Sequence, residues 1–103
     1  MTTPQVAVIA RIESKPGQRD ALVGALQGLA DAVESEEGTL RYILHTDDKD
    51  ENTVWFYEQY TDQAALAVHG SSETMKTLGP TIGQFGNGKV ELHFLTPVSG
   101  KGL

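Results

Sequence analysis

The sequence predicts an α+β domain of the ferredoxin-like, split βαβ kind, with helices packed on one face of a four-stranded antiparallel sheet. Two observations carry this. Four segments alternate apolar and polar residues with the period of a strand. A long segment with helical spacing separates the first two, and shorter helical segments separate the last two. The order β-α-β-β-α-β follows. At 103 residues the chain makes a single domain, 1–103, near the size where burial against a second copy helps.

In the first strand, Gln5 to Glu13, Val6, Val8, Ala10 and Ile12 share one face, and Ala7, Ile9 and Arg11 share the other. Lys15-Pro16-Gly17 ends it, because Pro lacks the ladder donor and Gly permits the turn. From Gln18 to Glu36 the apolar residues Leu22, Ala25, Leu26, Leu29 and Val33 keep helical spacing. Gly24 and Gly28 each cost about 1 kcal/mol relative to Ala inside a helix, so they suggest close approach to the sheet. Gly38 stops the helix. A second strand, Thr39 to Thr46, sets Leu40, Tyr42 and Leu44 against Arg41, Ile43 and His45.

Asp47-Asp48-Lys49-Asp50-Glu51-Asn52 reads as the solvated turn of a hairpin into the third strand, Val54 to Tyr60. Thr61-Asp62 offers capping oxygens to a helix whose Ala65, Leu66 and His69 lie on one face. Ser71 or Ser72 caps a further helical stretch bearing Met75, Leu78, Ile82 and Phe85, with a break expected at Gly79-Pro80. Asn87-Gly88 permits a left-handed turn into the fourth strand, Lys89 to Thr96.

Glu58, a carboxylate in the middle of an aromatic strand, needs a reason. Together with His69 it forms a candidate acid/base pair between strand and helix. Tyr42, Phe56, Tyr60, Met75, Ile82 and Phe94 are the candidate walls of a closed apolar cavity around that pair. The plainer readings are a core histidine closing a helix and a carboxylate held for structural reasons. The opposite face of the sheet carries Ile9, Ile43, Trp55, Tyr57 and Leu95, an apolar patch that a second sheet would cover, so a homodimer is expected.

The net charge of −6 excludes nucleic acid and anionic membrane surfaces as natural partners. With no Cys, no signal-like sequence in Met-Thr-Thr-Pro-Gln and no apolar run of membrane-spanning length, a cytoplasmic protein is expected. His45 and His93 lack the nearby carboxylates a metal site needs, and no glycine pattern marks a nucleotide loop, so neither metal nor cofactor is expected.

Lys15-Pro16-Gly17 before the long helix, then Glu37-Gly38-Thr39-Leu40-Arg41-Tyr42, Tyr57-Glu58-Gln59-Tyr60-Thr61-Asp62 and Ala65-Leu66-Ala67-Val68-His69, carry a family likeness. The chain resembles the antibiotic biosynthesis monooxygenase (ABM) domain family of the dimeric α+β barrel superfamily over almost its whole length. The resemblance implies a homodimer whose two sheets form a barrel, with each C-terminal strand reaching the neighbour. It also implies one ligand cavity per subunit. Family members include cofactor-free quinol and anthrone monooxygenases, haem-degrading enzymes and an isomerase of a phosphorylated signalling molecule.

There are departures. Thr74 stands where family members often carry a second His, and the haem-degrading branch's first-strand Asn and helical Trp are missing. The expected activity is oxidation of a small quinol or phenol by O₂ without a cofactor, with His69 as base and Glu58 orienting it. A non-catalytic dimeric module binding a small aromatic is the alternative from another class, and the isomerase and haem-degrading branches are the alternatives within the superfamily.

Overall fold

The computed structural model describes residues 4–103. Met1-Thr2-Thr3, part of the stretch read for a leader, lie outside them. The elements are β1 (Val6–Ser14), α1 (Arg19–Val33), β2 (Thr39–Thr46), β3 (Thr53–Tyr60), α2 (Gln63–Gly70), α3 (Glu73–Lys76), α4 (Leu78–Phe85) and β4 (Gly86–Leu95). The strands form one antiparallel sheet in the order β2-β3-β1-β4, which is the expected ferredoxin-like arrangement.

Alternation along β1 and β3 sets the two faces. Ala10, Ile12, Val54 and Phe56 pack under Leu22, Leu26 and Leu29 of α1, and Val6, Val8 and Tyr60 make a second cluster under Ala65 and Leu66 of α2. The opposite face pairs its polar groups within the chain. Arg11 reaches Glu13, Asp50 and Thr53, and Arg41 donates to Gln59. Ile43 remains exposed there.

Several local expectations are corrected. Gly24 and Gly28 are exposed, with open space where a Cβ would sit, so they mark no close approach. The close approach is at Gly38, where a Cβ would lie 2.5 Å from that of Ala65. Helix α1 ends at Val33, which frees Glu36 from the helix. Asp62 caps α2 by accepting from the Ala65 N–H at 2.8 Å, and Ser72 caps α3. The break before α4 falls at Thr77, and Pro80 sits in that helix's first turn, where its missing N–H costs nothing. Strand β4 begins at Gly86, so Asn87 and Gly88, the latter at φ 89°, form an irregularity opposite Ile12–Ser14 rather than a preceding turn.

The acidic β2–β3 turn is not merely solvated. Asp47 Oδ1 accepts from the N–H groups of Lys49 and Asp50, and its Oδ2 accepts from Trp55 Nε1, each at 2.8 Å. Arg19 on α1 donates to the carbonyls of Asp47 and Asp50, both at 2.9 Å, which pins the turn to the helix.

Candidate functional site

Because β3 alternates, Phe56, Glu58 and Tyr60 all face the helices, and α2 brings His69 over the same region. Between sheet and helices lies a cavity of about 300 Å³, at the small end of small-molecule sites. Tyr42, Phe56, Met75 and Phe94 line it as expected, and Glu58 and His69 both reach it. Two expected wall residues do not. Tyr60 is wholly buried behind Glu58, and Ile82 packs into the core cluster beneath α1. Leu66, Leu78, Val90 and Leu92 add to the wall, and Val8, Ala10 and Ile12 of β1 form its floor with Gly70 at the end of α2. Nor is the cavity closed. Leu92 and Phe94 line it yet stay 54% and 62% exposed, so it opens along β4, which the helices do not cover.

The expected Glu58–His69 hydrogen bond is absent. Glu58 Oε1 instead accepts from the Tyr60 hydroxyl at 2.5 Å, two residues along the same face. His69 Nδ1 lies 2.8 Å from Glu36 Oε1, and its Nε2 is buried without a partner. Aromatic rings flank the imidazole, with centroids at 5.0 Å for Tyr42 and 5.3 Å for Tyr60. Tyr42 stacks on Phe56 at 4.5 Å and donates to the Met75 thioether.

Burial pushes Glu58 above the ordinary carboxylic range, while the Tyr60 hydroxyl and the His69 ring act in the other direction. Burial also raises both phenols, helped at Tyr60 by its bond to Glu58 and at Tyr42 by the charges of Glu58 and Glu36. Both tyrosines therefore keep their protons. Among the described residues no Lys or Arg lines the cavity. Among the described residues no three His, Cys, Asp or Glu side chains gather as a metal site.

Glu36 was missed from sequence because helical spacing carries through it. One signal was present: Glu34, Glu36 and Glu37 crowd the C-terminal end of a helix, where the macrodipole disfavours carboxylates. At least one of them has another employment.

The family model for antibiotic biosynthesis monooxygenase matches residues 5–79. The chain belongs to the ABM family. It is 30% identical to the Mycobacterium tuberculosis protein named "Putative monooxygenase Rv0793", over 95% of each chain. The solved structure of PA3566 from Pseudomonas aeruginosa superposes with a TM-score of 0.87 at 27% identity, covering 96% of this chain and 99% of that one. A further relative, an uncharacterized Synechocystis protein, is 27% identical over 62% of this chain, which spans only 44% of that protein's length. The expected family and fold both hold. Among the described residues no helix is long and apolar enough to cross a membrane.

Proposed function

We propose that the protein is a cofactor-independent monooxygenase that oxidises a small neutral phenol or quinol with O₂. It works as a homodimer joined through the outer sheet face and β4. The single observation carrying the reading is His69 Nε2, buried without a partner on a ring at the wall of a mainly apolar cavity. An unpaired buried polar atom costs free energy unless a ligand satisfies it. A phenolic hydroxyl does so, with its ring against Tyr42, Phe56 and Phe94.

In this reading Nε2 takes the hydroxyl proton, and the phenolate gives one electron to O₂, leaving a phenoxyl radical and superoxide. These combine at a ring carbon, forming a C–O bond, and the imidazolium returns its proton to the distal oxygen. Loss of the ring C–H proton then breaks the O–O bond, leaving a quinone carbonyl and water. Every electron that O₂ accepts comes from the substrate. The dry walls protect the radical pair.

The charge pattern separates this from other branches of the superfamily. A phosphorylated substrate, or a haem with its propionates, brings negative charge to walls holding no Lys or Arg and one buried carboxyl group. A neutral hydroxyl donor avoids that cost.

Oxygen-electrode assays over a panel of quinols and naphthols, using chelator-treated protein, test the proposal. Uptake by the native protein should fall by about 10²-fold in His69→Ala. Equal uptake by both removes His69 from the mechanism. No uptake by either, with the same phenols still binding, puts the binding-module reading ahead.

A further inference from the structure

We propose that Glu36 is a positioning residue that holds the His69 proton on Nδ1, and so presents Nε2 as a hydrogen-bond acceptor to a neutral hydroxyl-bearing ligand. The proposal deepens the reading of His69 as the base and rests on it only for the activity arm of the test below.

The geometry begins with Glu36 Oε1, which lies 2.8 Å from His69 Nδ1. A carboxylate oxygen only accepts, so Nδ1 is the donor and the neutral ring is bare at Nε2. Among the described residues Glu36 is the one hydrogen-bond partner of Nδ1. The Glu58 carboxyl is taken by Tyr60, and the Tyr42 hydroxyl is directed to Met75.

Glu36 is itself held in place. Its Oε1 accepts from the Thr39 hydroxyl at 2.9 Å, and a tight turn closes as the Thr39 N–H donates to the Glu36 carbonyl. That turn is clamped onto the start of α2: the Thr61 N–H donates to the Gly38 carbonyl at 2.9 Å, and Gly38 presses on Ala65 too closely for any larger residue. The loop carrying the carboxylate and the helix carrying the imidazole are thus tied together where they meet. The pair lies largely out of water, with side chains 3% exposed for His69 and 14% for Glu36, where such a bond is little screened.

Nitrogen-15 NMR of the resting protein at alkaline pH reads the tautomer directly, with His45→Asn and His93→Asn removing the other two imidazoles. The native His69 should show a protonated Nδ1 and a bare Nε2. Phenol, used as the probe ligand, should shift the Nε2 resonance. Glu36→Ala should move the proton toward Nε2, whereas Glu36→Gln should keep it on Nδ1, because the amide oxygen accepts the same bond.

In the oxygen assay, kcat should fall about 10²-fold for Glu36→Ala and about tenfold for Glu36→Gln, with KM little changed. A native ring protonated at Nε2 overturns the proposal without any variant. So does a folded Glu36→Ala protein with its tautomer unaltered. The expected tautomers with no oxygen uptake from any phenol retire the oxygenase reading and leave the role of Glu36 standing.

Discussion

The β2–β3 turn gathers carboxylates and the cavity holds one, and the two regions treat them in opposite ways. At the turn, Asp47 meets backbone N–H groups and the Trp55 indole, which hold it down to about 2, and Asp50 is lowered by the Asn52 N–H and the Thr53 hydroxyl. In the cavity, burial raises Glu58 against the opposing pull of one hydroxyl, that of Tyr60, and of the His69 ring. Donors supplied by a loop's own backbone make a carboxylate a structural anchor. Apolar walls make it a group that resists ionisation and is available to a ligand. The same contrast separates the two faces of the sheet: polar groups on the outer face are paired within the chain, whereas the cavity face leaves His69 Nε2 unpaired.

The largest expected effect is on the cavity walls, since they are also the core. Phe56 is buried under α1 and stacked on Tyr42, so Phe56→Ala should cost about 3–5 kcal/mol by urea denaturation. A loss under 1 kcal/mol would mean that the cavity wall is not part of the core. A smaller effect belongs to the turn. Asp47→Asn puts an amide N–H against Trp55 Nε1–H or against the Lys49 and Asp50 N–H groups, whichever way it rotates, so the melting temperature should fall.

The sign with pH follows from the depressed value. Ionised Asp47 stabilises the fold above its ordinary 3.8, and that contribution is lost as pH drops from there to about 2. Native and Asp47→Asn melting curves should therefore converge over that window. Curves that stay parallel would mean that the backbone donors do not hold the carboxylate.

The fold was legible because the strand and helix periods are strong. Val6, Val8, Ala10 and Ile12 are all buried on one face, as alternation requires. The site was legible only in part. Glu58 and His69 reach one cavity, which follows from the parity of β3 and the face of α2. Their hydrogen-bond partners depend on where α1 stops and how a four-residue turn folds, and helical periodicity sets helix ends poorly. Glu36 was hidden for that reason. Tyr60 shares the parity of Phe56 but lies under α2 rather than beside the opening, a distinction that face assignment alone does not contain.

Glu58→Gln gives the smallest effect and bears on the comparison most directly, because its sign should oppose that of Asp47→Asn. The raised native pKa means that ionising Glu58 is harder in the fold than in the unfolded chain. Glu58 thus costs nothing while protonated in both states. Its penalty grows as pH rises from the unfolded value near 4.5 through the raised native one, then stays constant. Gln is neutral throughout, and its carbonyl oxygen still accepts from the Tyr60 hydroxyl. Glu58→Gln should therefore melt higher than native protein at pH 7, with the gap closing below about pH 4.5. A variant that melts lower at pH 7 would show that His69 and Tyr60 stabilise the Glu58 carboxylate by more than burial opposes it. The cavity and the turn would then hold their carboxylates alike.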